Sequence, residues 1–448
     1  MIGKPPTEPE SEKPRLDVTL NVYPTGIASG KKDGDRAYPT QDGGYAFLRM
    51  YGGFSSDEDL GRLTRASNVH FSRTMSTLAV RNRLNGGVRE NGLYNRDEVV
   101  TSVVRHATSV ARNKLKGTLP FTLGGDHSAG LANIKGTLFA RAVEALLQQD
   151  EKLSVDLSDP QKQGAYTHFE ETVAKFKDSV DTLAGDETYT QLNQSVQNLV
   201  DEGVVQADDI REFLSDVHVL WFDAHPDFHT HETSASGNIH GMPARAIIGE
   251  GAEELTGIFG DYIVINPQNI HMVGIRDYEE EEIHAMAEAG VQWHKMELGS
   301  DGNSGQKLVG LAGVLAEIKQ QVGNAPIILE LDIDGLDARD VPATGTPVGP
   351  GSPRETPDSQ APGVLLEDAV DAFQGVTTNF NVQSIDVCEI VNDPEVDPQS
   401  RTMESALRLI LSVLDVDIEE EAVLDRIIQT GQKRAQRIPS ELESASLD

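Results

Sequence analysis

Asp223-Ala-His225-Pro-Asp227 follows directly on the apolar run VHVLWF (217–222), and no other stretch of this sequence is better equipped for chemistry. Alternate residues at a strand end point to one side, so two carboxylates and an imidazole converge there. Asp332-Ile-Asp334 repeats the arrangement after PIILEL (326–331). Gly124-Gly125-Asp126-His127-Ser128 is a glycine turn that ends GTLPFTL and carries His127 over the sheet edge. Carboxylate and imidazole donors suit Mn2+, Mg2+, Fe2+, Co2+ or Zn2+. An isolated D-x-H or D-x-D is usually a capped strand end or a turn. Three such patterns, each closing a buried strand, point elsewhere, because charged residues there are costly unless paired or metal-bound. His127, Asp223, His225, Asp227, Asp332 and Asp334 exceed what one octahedral ion draws from protein. They suit two ions that share a bridging carboxylate and a bridging solvent.

These residues need strands that end at one edge, and the sequence supplies them. Gly117–Gly125, Val217–Phe222, Ile270–Ile275, Pro326–Leu331 and Val382–Val391 are short, apolar nearly throughout, and stop at Gly, Asp or another polar residue. Strands apolar on both faces belong to a parallel sheet covered by helices. Helical patterns fill the gaps at Asp97–Leu115, Glu279–Ala289, Gln306–Val322 and Thr402–Leu414. The expectation is an open, doubly wound α/β domain whose site lies outside the carboxyl ends of the strands. One stretch breaks the rhythm. From about 143 to 211 the chain is polar, with Leu, Val and Phe at three- and four-residue steps, which predicts an insertion of amphipathic helices packed on the domain. Residues 1–15 and 438–448 are polar and charged and read as disordered tails, leaving 16–437 as a single domain.

Composition narrows the partners. Across 448 residues the net charge is −34, which argues against nucleic-acid or anionic-membrane binding. No apolar run approaches the length of a bilayer span, and the N-terminus lacks the apolar stretch of a secretory signal. The single cysteine, Cys388, excludes an internal disulfide framework and fits a reducing, cytoplasmic setting.

The blocks GGDHS, DAHPD, SGNIHGMP, LDIDGLD followed by PATGTPV, and VGIRD closely resemble, in order, the signature blocks of arginases, within the wider ureohydrolase (arginase and agmatinase) family. The resemblance runs from about Tyr51 to Leu414, apart from the insertion. It implies a three-layer α/β/α sandwich around an eight-stranded, mainly parallel sheet. It also implies two Mn2+, with Co2+ and Ni2+ also acceptable, held by His127, Asp223, His225, Asp227, Asp332 and Asp334. A hydroxide bridging the metals would attack the guanidinium carbon of L-arginine, giving L-ornithine and urea. By the same resemblance His240 would shuttle protons, Glu389 would pair with the guanidinium, and Thr346 would line its pocket. Asp227 would take part both as ligand and in catalysis. Ser236, Asn238 and the loop starting at His229 would contact the substrate α-carboxylate, and Glu279 its amino group. Family members form homotrimers or homohexamers.

The sequence departs from that pattern at four places. His229 replaces an asparagine, Glu279 an aspartate, Glu330 a serine that precedes the D-x-D pair, and Ala338 a proline. The first two fall where the amino-acid end of the substrate would sit. They leave another guanidino compound (agmatine, guanidinobutyrate, a guanidino acid or guanidine) as the alternative substrate. A non-catalytic, metal-binding relative with a regulatory role is the alternative from a different class. His70, His106, His168, His218, His271, His284 and His294 lack metal-type neighbours and read as surface or satisfied core histidines, and His231 lies off the ligand pattern. Cys388 reads as buried filler, and the run Glu279–Glu282 as a helix start. Arg276 is a core or an intersubunit ion pair, between which sequence does not decide.

Overall fold

A computed structural model describes residues 15–23, 46–47, 50–51, 64, 67, 69–76, 89–179, 185–295, 310–349, 359–416 and 421–435. The expected tails at 1–15 and 438–448 fall, but for Arg15, outside the described residues, as do positions 306–309 of the expected helix Gln306–Val322.

Eight strands form one sheet in the order β2-β1-β5-β10-β9-β6-β7-β8. They are β1 (Leu16–Val22), β2 (Val69–Ser76), β5 (Leu119–Leu123), β6 (His218–Phe222), β7 (Ile270–Val273), β8 (Gln292–His294), β9 (Pro326–Asp332) and β10 (Asn381–Cys388). Every pairing within it is parallel. A two-stranded hairpin, β3 (Arg89–Glu90) with β4 (Leu93–Tyr94), stands apart. The alternation along β6 shows why the strands are apolar on both faces. Val219 and Trp221 enter one core cluster, while Leu220 and Phe222 enter the other. The sheet is thus the middle layer of a three-layer sandwich.

On the first face lie α1 (Arg96–Leu115) and α2 (Ser128–Gln148). In α1 the buried Val99, Val103, Ala107 and Ala111 recur every four residues. Gly136 lets α2 approach closely, because a Cβ there would lie 2.4 Å from the Ala107 carbonyl oxygen. On the second face lie α7 (Leu311–Val322), α8 (Leu366–Phe373), α9 (Arg401–Val413) and α10 (Glu421–Ala435), whose apolar residues share a cluster with β1, β5 and β10.

The 143–211 stretch begins inside α2 and continues as α3 (Pro160–Asp178), α4 (Gly185–Asp201) and α5 (Ala207–Leu214). Asp159 caps α3, accepting from the Gln161 and Lys162 amides, with Pro160 at the first turn. Tyr166, Phe169, Val173 and Phe176 then bury one stripe in the first-face cluster, and the Tyr166 hydroxyl donates to the Leu146 carbonyl at 2.7 Å. These helices thicken that layer. Among the described residues no helix is long and apolar enough to cross a membrane.

Candidate active site

Five adjacent strands, β5, β10, β9, β6 and β7, end at one edge, and the turns after them carry the polar residues. Register keeps these ends level, since Cys388 pairs with Asp332 and Leu331 with Phe222. Gly124 and Gly125 take positive φ (78° and 88°), which reverses the chain after β5 and brings in His127. The Gly125 carbonyl accepts from the Glu389 amide (2.8 Å), so the turns after β5 and β10 are tied together.

The structure brings His127, Asp223, His225, Asp227, Asp332 and Asp334 into one cluster. His127 Nδ1 lies 2.9 Å from Asp227 Oδ2, 3.1 Å from Asp223 Oδ2 and 3.3 Å from Asp332 Oδ2. His225 Nδ1 lies 3.1 Å from Asp334 Oδ2 and 3.6 Å from Asp223 Oδ1. Two donor triads result, His127/Asp223/Asp227 and Asp223/His225/Asp334, each with its ligand atoms within 4.8 Å, and Asp223 belongs to both. Asp223, Asp332 and Asp334 are at most 2% exposed.

Four carboxylates crowd two imidazoles in this cluster. Burial, then Asp334 and Asp223, push the Asp332 carboxyl well above the usual carboxylate range. Burial alone would lower His127, but Cys388 and its three aspartates hold it well above an ordinary histidine. The cluster therefore fits a pair of divalent cations. The donors are hard oxygens and imidazoles, the shared Asp223 can bridge, and the positive charge would relieve the repulsion that raises Asp332.

Around this cluster a cavity of about 700 Å3 is lined by His225, Asp227, His229, Ser236, Asn238, His240, Asp277, Glu279, Glu282, Thr346 and Glu389, among others. Glu389 Oε1 accepts from the His127 amide at 3.0 Å and lies 3.3 Å from His240 Nδ1. Its Oε2 is buried and has no hydrogen-bond partner among the described residues. Burial would lower His240, whereas Glu389, with Asp227 and Asp126 behind it, raises it. Asp227 and Glu389 both sit at positive φ (48° and 56°), a region a glutamate rarely occupies, so the fold holds these two side chains against backbone preference.

Toward the mouth His229 Nε2 lies 3.5 Å from both Glu279 Oε2 and Glu282 Oε2. Glu279 is the N-cap of α6 (Glu280–Ala289), in a reciprocal capping box with Glu282. Burial pushes Glu282 up to about 7. Ser236 Oγ accepts from the Asn238 amide at 3.2 Å. The Thr346 hydroxyl donates to Asp334 Oδ2 at 2.9 Å, which ties it to the cluster.

Some neighbours escaped sequence reasoning. Asp277 lies 3.7 Å from His225 Nε2, and the same strand-end rule applied to β7 would have found it. Cys388 is more than filler, since its Sγ is 3.8 Å from Asp332 Oδ2 and it groups with His127 and Asp386. Glu330 is fully buried within β9 and accepts from Asn133 Nδ2 at 2.7 Å. Burial and then Asp386 push Glu330 well above the carboxylate range, and burial pushes Asp386 up to about 7. Nothing local in the sequence marks that pair. His106 is a satisfied core histidine, with Nε2 2.9 Å from Thr122 Oγ1. His168 and His284 are exposed, and the side chain of His70 lies outside the described residues.

An α/β/α sandwich with buried carboxylates and imidazoles gathered at its strand ends defines the class. Within it, the Arginase family model matches residues 152–415, more than half the chain, and the chain belongs to that family. It is 34% identical to an arginase of Bacillus subtilis over 198 residues, covering 44% of this chain and 60% of that protein. It is 32% identical to an arginase of Entamoeba histolytica over 201 residues, covering 45% and 60%. The chain thus spans about three fifths of the length of these curated relatives. Crystal structures of arginase from Bacillus caldovelox (TM-score 0.59, 21% identity) and Bacillus cereus (0.58, 19%) each align over 90% of this chain and 99% of theirs, and establish the fold.

Proposed function

We propose that the chain is a metal-dependent amidinohydrolase that cleaves a guanidinium C–N bond, with L-arginine and water as substrates and L-ornithine and urea as products. The observation that carries this reading is Glu389 Oε2, a buried carboxylate oxygen without a partner among the described residues, on a side chain that lines the same cavity as residues of the two donor triads. A guanidinium is planar, cationic and a paired donor, which is what such an oxygen lacks. In this reading His127, Asp223, His225, Asp227, Asp332 and Asp334 hold two Mn2+. When bound, such ions supply a water acidic enough to act as nucleophile near neutral pH. With one water proton lost to solvent, the oxygen adds to the guanidinium carbon. Its remaining proton passes by way of Asp227 to the alkyl nitrogen, and the bond from carbon to that nitrogen breaks to leave urea. The freed amine takes a further proton from His240. Glu389 orients the guanidinium and keeps His240 charged until that transfer.

His229 and Glu279 favour a second reading in the same chemistry, with a different guanidino compound as substrate. They form the far end of the cavity, and a carboxylate-free substrate such as agmatine would meet Glu279 there. A panel of arginine, agmatine, guanidinobutyrate and guanidine, with Mn2+, Co2+ and Ni2+ supplied separately and urea measured, separates them. Turnover of arginine alone supports the first; turnover of another guanidine without arginine replaces it with the second; no urea from any removes both. The same reading takes 16–437 as one cytoplasmic catalytic domain capped by the 143–211 insertion, between two tails, assembling as a homotrimer or homohexamer.

A further inference from the structure

Arg276 follows β7 and is 4% exposed, yet among the described residues the hydrogen bonds of its guanidinium go to carbonyl oxygens and none to a carboxylate. Nη2 donates to Asp334 (2.7 Å), Leu336 (3.0 Å) and Val348 (3.2 Å), and Nη1 to Gly335 (3.2 Å) and Gly274 (3.3 Å). The Arg276 and Asp277 amides both donate to the Ala224 carbonyl, at 2.8 and 3.0 Å. The side chain thus joins the turns after β7 and β9 to the loop that carries Thr346, and the backbone of the same residue adds the turn after β6. Burial lowers this guanidinium, while Asp334, Asp223, Asp337 and Asp277 act to keep it charged.

We propose that Arg276 is a positioning residue that fixes Asp334, and with it the Thr346–Val348 wall, in the geometry needed to grip one of the two cations and the guanidinium. The proposal rests on the metal-dependent reading above. Three successive carbonyls, of residues 334, 335 and 336, point to one planar cation, so the turn cannot rotate without losing several bonds together. The Asp334 carboxylate is then held from the other side, where Oδ1 accepts from the Ala224 amide (3.1 Å) and Oδ2 from Thr346 (2.9 Å). Lysine would keep the charge but offers three tetrahedral donors on a different stem, and cannot reach five carbonyls in a fork.

The test is a Mn2+ titration of metal-freed wild type, Arg276→Lys, Thr346→Val and His225→Ala by calorimetry, with thermal unfolding of the metal-free proteins and KM and kcat for urea release. In Arg276→Lys, affinity should fall at least tenfold at the site that His225→Ala removes and stay within threefold at the other, with KM raised. Thr346→Val, nearly isosteric and leaving the buried Arg276 cation in place, should loosen the same site even if Arg276→Lys folds poorly. Native affinity at both sites in the two variants, with only a lower unfolding temperature, would overturn the positioning role while leaving the two-ion reading intact. Wild-type protein that takes up no ion pair would overturn both.

Discussion

Replacing Glu389 by Gln separates guanidinium recognition from metal binding. Glu389 is 1% exposed, its Oε1 accepts from the His127 amide at 3.0 Å, and its Oε2 has no partner. The Gln side-chain carbonyl can take over the bond to the His127 amide, so the turns after β5 and β10 keep their tie. The other position becomes an NH2 facing the donors of a guanidinium. A hydrogen bond to a charged group contributes about 1.5–3 kcal/mol, and leaving a buried charge without its partner costs about 3–5 kcal/mol. Water in the cavity moderates the second figure, so ~2–4 kcal/mol of transition-state stabilisation should be lost. At 1.36 kcal/mol per tenfold, kcat/KM for urea release should fall roughly 30- to 1000-fold. The assay is urea formation under Mn2+, paired with metal content, which should remain that of wild type. A variant with kcat/KM within threefold of wild type would refute the role of Glu389, and loss of bound metal would relocate that role to the cluster.

Three other outcomes follow from the geometry. His240→Asn removes the ring beside Glu389 Oε1, and kcat should fall about 100- to 10,000-fold with metal content unchanged, as urea assays and metal analysis would show. His218, His271 and His294 form a hydrogen-bonded ladder across β6, β7 and β8 (3.0 and 3.1 Å), flanked by Asp216 and Glu317, and burial with the two neighbouring rings lowers His271 to about 3. A depressed histidine contributes stability present above the unfolded value near 6.5 and lost as pH falls toward the folded value. Wild type should therefore lose ~2 kcal/mol more than His271→Gln between pH 7 and pH 5 in urea unfolding, and parallel curves would contradict this. Gly136→Ala would set a methyl 2.4 Å from the Ala107 carbonyl oxygen, and should destabilise by about 1–3 kcal/mol, read as a lower urea midpoint with unchanged slope.

Much of the fold was legible because buried parallel strands announce themselves as apolar runs. The strands β5, β6 and β7 fall within the runs read from sequence, β9 and β10 overrun theirs by one residue each, and helices α1, α6, α7 and α9 match theirs to within a few residues where described. Strands β1, β2 and β8 were missed for a physical reason. LDVTLNV and VHFSRTMS alternate apolar with polar residues, and QWH has three residues at the sheet edge. The cluster at the strand ends was legible because period-2 geometry turns D-x-H-x-D and D-x-D into converging side chains. Glu389 and His240 were not, since they meet from positions 149 apart on turns that no local pattern ties together, and only the resemblance marked them. Arg276 could be placed only by seeing which carbonyls it reaches, and the Glu330–Asn133 bond spans 197 positions.

Metal stoichiometry in wild type, Asp223→Ala and His225→Ala tests the central claim most directly, because Asp223 is shared by the His127/Asp223/Asp227 and Asp223/His225/Asp334 triads. Two Mn2+ per wild-type chain, one after loss of His225 and none held tightly after loss of Asp223, is the expected series. One ion per wild-type chain, or an Asp223→Ala protein that keeps an ion at native affinity, would contradict it.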